Sequence, residues 1–229
     1  MGTVWLAARR AASGAEARQL ADAARAGWTP AEAARLAALT APRRRGQYLA
    51  GHALLRALLR APALRARLGG GALQFPADRA PQWTGAAPVR LGIAHSGDWV
   101  FAAAADGPLG LDCECHKDRP GWRDLALATC PELFDGAAQP ALADFYRAWT
   151  LKEAWIKAHG QAALPDALRR LRVRAPVAAD ALTLTSWPFG AGVLGCLARS
   201  GAHCAWPLGQ PEGLGLQPPS VWAMDVQKE

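Results

Sequence analysis

The sequence is poor in lysine and has no long apolar run. Only four of its 26 basic residues are lysines, at positions 117, 152, 157 and 228, which indicates a mutational bias towards arginine. Two of these lysines fall within one predicted helix and stand out against that bias. No apolar run reaches the length of a membrane span, and the amino terminus lacks a basic segment followed by an apolar one. We therefore expect a soluble cytoplasmic protein.

Cysteine is also scarce. The five cysteines are odd in number and irregularly spaced, which argues against a disulfide framework and for a reducing compartment. Cys113, Cys115 and His116 suggest a zinc site, but the C-x-C spacing is too short and no second pair of ligands stands at a suitable distance. The run Gly69–Gly71 lacks the strand–helix context and the lysine and hydroxyl of a phosphate-binding loop.

The composition indicates a globular, basic protein. With 229 residues and 51% hydrophobic content, the chain is long enough for one large domain or two small lobes. The formal net charge of +7 points to an acidic partner: nucleic acid, an anionic membrane, a phosphorylated ligand or an acidic protein. Charge alone does not choose among these partners.

Periodicity and turn signals predict a mixture of helices and strands. Helices are predicted at residues 15–26, 31–39, 43–60, 122–135 and 141–159. Strands are predicted at residues 3–6, 73–75, 89–94, 99–105, 109–114, 171–173, 181–187 and 192–197. The strands at 89–94, 99–105 and 109–114 follow one another closely, so we expect them to form a β-meander.

Both halves of the chain show a helix followed by strands, which predicts an α+β protein of two similar lobes. We place the amino-terminal lobe at residues 1–106 and the carboxyl-terminal lobe at residues 107–229. Prolines and interspersed glycines predict that residues 207–229 form an irregular tail.

The helix predicted around residues 145–160 mixes charged and apolar groups. Helical spacing places Trp149, Lys152, Glu153, Ile156 and Lys157 along one face. Burying charged groups is unfavourable unless each has a partner, so this face suggests that a charged ligand binds there. The alternative is an ordinary amphipathic helix in which Glu153 pairs with Lys157 four residues on.

A second candidate site lies on a predicted strand. Asp112 and Glu114 are two residues apart, so their carboxylates share one side of the sheet, where a divalent cation would relieve their repulsion. Mg²⁺ prefers such oxygen ligands, and Glu153 would complete the set. The alternative is that alternating acids occur at an exposed strand end by chance.

A histidine ends a strand that we expect to lie next to these acids. His95 stands in a turn where Ser96 and Gly97 permit close approach of a ligand; the alternative is a loop histidine bonded within the protein. The arginines between Arg43 and Arg56 are interpreted as a solvated basic face, with an anion-binding role for one or two of them.

Together, three segments resemble the 4′-phosphopantetheinyl transferases of the larger, two-lobed type. They are Ile93–Val100, with a strand and histidine, Gly110–Glu114, with G-x-D-x-E, and Trp149–Lys157, with W-x-x-K-E-x-x-x-K. Leu49–Gly51 is similar to the family's L-A-G step, and Arg79–Pro81 stands where a basic-and-proline motif is usual. The resemblance runs from about residue 43 to 160, and the conjunction of motifs makes it specific.

The resemblance implies a fold and an activity. The fold is two α/β lobes forming a pseudo-twofold monomer with the active cleft between them. The activity is a Mg²⁺-dependent transfer of 4′-phosphopantetheine from coenzyme A to a serine of an apo acyl or peptidyl carrier protein. The products are a holo carrier protein and adenosine 3′,5′-bisphosphate, in fatty-acid, polyketide or nonribosomal peptide biosynthesis.

The resemblance also implies roles for single residues. Asp112, Glu114 and Glu153 hold the metal, Glu153 also takes the proton of the serine, and Lys157 and His95 contact phosphate oxygens. The further candidates for binding coenzyme A are Arg45, Arg79, Arg35, Ser96 and Lys152.

Two positions depart from the family pattern. Ala94 replaces a residue that is often serine, and Ala80 stands where many members carry lysine, so Arg79 has to serve instead. Both changes bear on affinity for coenzyme A.

Two other functions fit parts of the sequence. A basic nucleic-acid-binding protein would use the arginines, but they are not interleaved with aromatic residues and no helix-turn-helix or zinc pattern is visible. A non-catalytic subunit that binds carrier proteins would keep the fold without the chemistry. The presence of all three acids, both lysines and the histidine argues against this last alternative.

Overall fold

A computed structural model describes residues 2–76, 79–136, 139–160, 165–190 and 192–227. The chain divides into two compact units. The amino-terminal unit comprises Gly2–Gly107 and His203–Pro211, and the carboxyl-terminal unit comprises Pro108–Ala202 and the chain from Glu212 onwards. Each has its own sheet and its own helices, so the predicted α+β class is confirmed. In the described part of the chain, no helix is both long and apolar enough to cross a membrane.

The helices and strands of the two units follow one another along the chain. They are β1 (Thr3–Arg10), α1 (Gly14–Gly27), α2 (Pro30–Ala38), α3 (Pro42–Arg60), α4 (Pro62–Leu68), β2 (Leu73–Gln74), β3 (Gln82–Trp83), β4 (Arg90–Ser96), β5 (Trp99–Ala105), β6 (Gly110–Cys115), α5 (Trp122–Thr129), a 3₁₀ helix (Pro131–Phe134), α6 (Leu142–Ala158), α7 (Pro165–Arg170), β7 (Leu171–Arg174), β8 (Leu182–Phe189), β9 (Gly192–Arg199), β10 (His203–Ala205) and β11 (Ser220–Val226).

The amino-terminal unit is built on a six-stranded sheet in the order β10-β1-β5-β4-β3-β2. Its central strand β5 has no polar residue after Trp99 and is buried along its whole length, as expected for a strand covered on both faces. Helix α3 packs against the sheet through buried leucines, which lie at helical spacing. All pairings are antiparallel except that of β1 with β10, which is parallel.

The carboxyl-terminal unit is built on a five-stranded antiparallel sheet in the order β6-β9-β8-β11-β7. Strand β9 is buried from Gly192 to Ala198. Helix α6 lies across β6 and β9, and its buried residues Leu151 and Ala154 pack with Leu184 and Leu197 of the sheet. The long predicted helix therefore becomes the helix that covers the central strands of this unit.

Three expectations about connectivity are wrong. Strand β6 pairs with β9 in the other sheet, so β4, β5 and β6 do not form a meander, and the strand that ends at His95 is not a neighbour of the strand of Asp112. Residues 220–226 form strand β11 instead of an irregular tail, and residues 228–229 of that predicted tail lie outside the described residues. His203–Pro211 are part of the amino-terminal unit, although the sequence placed them in the carboxyl-terminal lobe.

Candidate functional site

Two glycines allow α6 to lie directly on β6 and β9. A Cβ atom on Gly110 would stand 1.8 Å from the carbonyl oxygen of Ala154, and one on Gly195 would stand 2.9 Å from Cγ2 of Thr150. Gly195 is also the ladder partner of Asp112. Because only glycine leaves this space, the first position of the G-x-D-x-E motif sets the distance between the strand and the helix that carries Glu153.

Four charged side chains meet where α6 crosses β6, and we call Asp112, Glu114, Glu153 and Lys157 the acid–lysine cluster. Asp112 is only 6% exposed. Lys157 donates a hydrogen bond of 2.5 Å from Nζ to Oδ1 of Asp112. The other carboxylate oxygen, Oδ2, is buried and has no hydrogen-bond partner among the described residues. An unpartnered buried oxygen is unfavourable, so a donor or a cation at Oδ2 would stabilise the cluster.

The electrostatics of the cluster follow from burial and from the proximity of its acids. The pKa of Asp112 is raised to about 7, chiefly by burial. The nearby Lys157 lowers this pKa, and the repulsion of Glu114 and Glu153 raises it. Burial likewise raises the pKa of Glu153, against the attraction of Lys157 and together with the repulsion of Glu114. Burial opposes the charge of Lys157, yet Asp112 and Glu153 raise its pKa. The cluster therefore carries excess negative charge that a cation would relieve.

Lys152 has a different environment from the rest of the motif. Its side chain is 0% exposed, and Nζ donates a hydrogen bond of 2.7 Å to the carbonyl oxygen of Thr129 and lies 2.8 Å from Oε1 of Glu132. These partners belong to the end of α5 and to the 3₁₀ helix, away from Asp112. The common face predicted for α6 is therefore wrong for Lys152, and its ammonium lacks the exposed position that a contact with a ligand phosphate requires.

A surface pocket of about 280 Å³ opens beside Glu114 within the carboxyl-terminal unit. Its apolar wall comes from α5 and α6, through Trp122, Phe145, Tyr146 and Trp149. The hydroxyl of Tyr146 donates a hydrogen bond of 3.1 Å to the carbonyl oxygen of Lys117, which fixes that ring. The sequence analysis did not identify this pocket, because its residues come from two segments, 114–125 and 145–149, that are separated in the sequence and meet only in the folded protein.

The other predicted site residues belong to the amino-terminal unit. His95 and Ser96 end β4, and Ser96 is buried. Arg45 donates a hydrogen bond of 3.0 Å from Nη1 to the carbonyl oxygen of Leu36, whereas Arg35 on α2 and Arg79 in the loop between β2 and β3 are exposed.

Arg44 is an additional residue that the structure brings to His95. Its Nη1 atom lies 3.3 Å from Nδ1 and 3.4 Å from Nε2 of that ring. The sequence analysis expected an anion-binding role for one or two of the arginines between Arg43 and Arg56 but did not single out Arg44, because it sits in a run of three arginines that only the tertiary register of α3 distinguishes. The two groups of site residues are thus each assembled within one unit, around Asp112 and around His95.

The residues of the acid–lysine cluster fit a divalent cation in part. In the described ranges, no three carboxylate, cysteine or histidine side chains already converge as a complete set of metal ligands. The unpartnered Oδ2 of Asp112 and the mutual repulsion of three carboxylates nevertheless provide oxygen donors of the kind that Mg²⁺ prefers. Asp112, Glu114 and Glu153 are the residues that would hold it.

The fold and the site together define an α+β protein in which a strand and a helix bring three acids and a lysine into one cluster. Residues 108–181, which contain that cluster, match the sequence model of the 4′-phosphopantetheinyl transferase superfamily. The resemblance that the motifs indicate is therefore confirmed over this segment, which is similar to that superfamily.

Individual relatives carry the same description. The chain is 33% identical over 127 residues to the 4′-phosphopantetheinyl transferase AcpT of Salmonella typhimurium, covering 52% of this chain and 62% of that protein. It is 41% identical over 76 residues to the 4′-phosphopantetheinyl transferase psf-1 of Bacillus pumilus, covering 30% of this chain and 31% of that protein. The match thus spans about six-tenths of the length of AcpT and about a third of psf-1.

Proposed function

We propose that this protein is a 4′-phosphopantetheinyl transferase that transfers the phosphopantetheine group of coenzyme A to a serine of an apo acyl or peptidyl carrier protein. The observation that carries the proposal is the acid–lysine cluster within the segment that matches the superfamily. The names of the relatives support the same activity.

The cluster supplies the groups that such a transfer needs. Asp112, Glu114 and Glu153 would hold Mg²⁺, which when bound neutralises charge on the diphosphate of coenzyme A. Glu153 accepts the proton of the serine hydroxyl, and burial, which raises its pKa, makes its carboxylate a stronger base. Lys157 keeps its charge and stabilises the oxygens of the phosphoryl group under attack.

In this reaction, the serine oxygen forms a bond to the β-phosphorus, and the bond from that phosphorus to the oxygen bridging the two phosphates breaks. The leaving group is adenosine 3′,5′-bisphosphate. His95 and Ser96 bind phosphate oxygens, and Arg45, Arg79 and Arg35 are candidates for the nucleotide end. We leave Lys152 out of this set because its ammonium is buried and paired with Glu132.

The pocket beside Glu114 suits the pantetheine arm. Apolar side chains form one wall of the pocket, and the arm is a flexible chain of amides and methylenes that ends in a thiol. Aromatic rings bind such a chain through apolar contact and leave its amides to the rim.

Incubation of the protein with coenzyme A, Mg²⁺ and an apo carrier protein tests the proposal. We expect the carrier to gain the mass of one phosphopantetheine group, and we expect a chelator to abolish the gain. Glu153→Gln and Asp112→Ala should reduce the rate by at least about a hundredfold. Asp166→Asn, which changes an exposed acid on α7 of the same unit, is the matched control.

Two results would contradict the proposal. Undiminished activity of either cluster variant would remove the metal and base assignments. Salt-sensitive binding to DNA without modification of any carrier would favour the nucleic-acid-binding alternative.

A further inference from the structure

The start of α3 is joined to the β4–β5 turn by a group of polar contacts, which we call the turn cluster: Arg44, Gln47, His95 and Gly97. Gly97 is the first central residue of a two-residue hairpin turn and has a φ of 57°, which glycine adopts without strain. Beside these residues, Arg43 donates to a carboxylate oxygen of Asp98 at 3.2 Å and from Nε to the carbonyl oxygen of Gly97 at 3.2 Å. Arg43 therefore pairs with the acid of the turn and shares the Gly97 carbonyl with Gln47.

Gln47 is the buried member of the turn cluster. It is only 4% exposed, and its amide makes two hydrogen bonds. Nε2 donates to the carbonyl oxygen of Gly97 at 2.8 Å, and Oε1 accepts from Nη1 of Arg44 at 3.2 Å. If the amide were flipped, Oε1 would face the carbonyl oxygen of Gly97 and Nε2 would face the guanidinium of Arg44, and neither pair could form a hydrogen bond. Both contacts therefore fix the same amide orientation. One side chain thus holds the turn backbone and a guanidinium at once.

The guanidinium held in this way lies against His95. Its Nη1 atom is almost equidistant from the two ring nitrogens, at 3.3 and 3.4 Å, so it is not directed along a single lone pair. The direct contact between Arg44 and His95 therefore contributes little binding energy. An oxyanion placed against both side chains would accept a hydrogen bond from each. The arrangement needs the guanidinium to stay in place, because a free arginine side chain would lose rotamer entropy on binding.

We propose that Gln47 is a positioning residue: it holds Arg44 and the His95 turn in the arrangement that binds a phosphate group of coenzyme A. The inference rests on the proposed function, and it concerns a residue that would not touch the ligand. Gln47 acts through two neighbours: it orients the guanidinium of Arg44, and it holds the backbone of the turn at Gly97.

The test measures the affinity of coenzyme A with Mg²⁺ by titration calorimetry, without a carrier protein, for the wild type, Gln47→Met, Arg44→Ala and the double variant. Gln47→Met removes both hydrogen bonds and should weaken binding about five- to tenfold. Arg44→Ala should weaken it about tenfold or more. In the double variant, the loss should be clearly smaller than the product of the two single losses, because Gln47 acts in part through Arg44.

Steady-state kinetics separate positioning from folding. Gln47→Met should raise KM for coenzyme A about five- to tenfold and leave kcat at saturating coenzyme A within about twofold, measured at a temperature where thermal melts show every variant folded. Gln19→Met, which alters an exposed glutamine of α1, is the matched control and should bind as the wild type does. If Gln47→Met does not fold, Arg44→Lys replaces it. A single ammonium cannot span Gln47 and the ligand, so affinity should again fall about fivefold.

Independent losses that multiply in the double variant, or wild-type affinity in Gln47→Met or in Arg44→Lys, would overturn the inference. No detectable binding of coenzyme A to the wild type would overturn it too. A wild type that binds coenzyme A but modifies no carrier contradicts only the proposed function, and the coupling between Gln47 and Arg44 then still decides the role of Gln47.

Discussion

Lys152 is a buried cation whose role is to join α6 to the segment before it. It pairs with Glu132, and Arg172 of β7 lies 3.5 Å from the same carboxylate. Removing one partner of a buried ion pair leaves the other charge desolvated and unpaired. The interior ion pair therefore stabilises the contact between α6 and the 3₁₀ helix.

Lys152→Met should lower the free energy of unfolding by about 3–5 kcal/mol, measured by urea denaturation. Glu132→Gln added to it removes a buried carboxylate that would otherwise keep only the longer contact with Arg172, and should restore part of the loss. The sequence analysis gave Lys152 as a candidate for binding coenzyme A. A Lys152→Met variant that kept the stability of the wild type and lost affinity for coenzyme A would support that earlier interpretation and contradict the structural role.

A second buried group of charges lies between α2 and α3. Glu32 is 1% exposed; its Oε1 accepts hydrogen bonds from Nδ1 of His52 at 2.8 Å and from Arg56 at 2.7 Å. Burial lowers the pKa of His52 to about 4, although Glu32 opposes that shift. Burial also acts to raise the pKa of Glu32, but hydrogen bonds from Thr29, Arg56 and His52 outweigh it and lower that pKa.

These shifts make stability depend on pH. Between pH 6.5 and about 4 the unfolded state binds a proton at His52 that the folded state does not, so stability should fall as pH falls through this window. The loss is of the order of 3 kcal/mol for this residue, and Glu32 adds to it at lower pH. Urea denaturation at pH 7, 5.5 and 4 measures it. His52→Gln keeps a donor for Glu32 but does not titrate, so its profile should be flatter; an equally steep profile would contradict the assignment.

At the scale of elements, the contact between β6 and α6 depends on Gly110. The carbonyl oxygen of Ala154 occupies the space that a side chain at position 110 would need. A methyl group there would push the helix away from the strand, and with it Glu153 away from Asp112. Backbone atoms cannot rotate aside as a side chain can, so the displacement must involve α6 itself.

Gly110→Ala should therefore reduce transferase activity by at least about tenfold and lower the free energy of unfolding by about 1–3 kcal/mol. Carrier mass analysis and urea denaturation measure the two effects. Gly70→Ala is the control, since a Cβ there meets no atom within 4 Å and the residue has no positive φ. Wild-type activity in Gly110→Ala would show that the close approach does not set the site.

At the scale of the whole molecule, the net charge of +7 should govern encounter with an acidic carrier protein. Added salt weakens this long-range attraction more than it weakens the short-range contacts of the bound complex. We expect kcat/KM for an acidic carrier to fall about tenfold between roughly 50 and 500 mM NaCl, with kcat within about twofold. Sucrose at matched osmolality is the control, and a salt-independent kcat/KM would exclude electrostatic steering.

Much of the local structure is predictable because its causes are local. A capping box formed by Thr29 and Glu32 opens α2, where the sequence predicts a helix at residues 31–39, and the predicted helices appear as α1, α2, α3, α5 and α6. The same is true of the acids: alternation on a strand places Asp112 and Glu114 on one side. The expectation that Glu153 joins them rested on the ligands that Mg²⁺ prefers and on the resemblance, because spacing along the chain does not place a helix residue beside a strand.

The amino-acid sequence by itself determined the helices, most strands and the residue types of the candidate site, since periodicity, caps and motifs act over a few neighbouring residues. Only the tertiary structure decided that β6 pairs with β9, that β10 completes the amino-terminal sheet beside β1, that Lys152 is interior and that Arg44 meets His95. Strand pairing and the burial of a charge depend on segments far apart in the chain, and no local pattern records which of several suitable partners packs best.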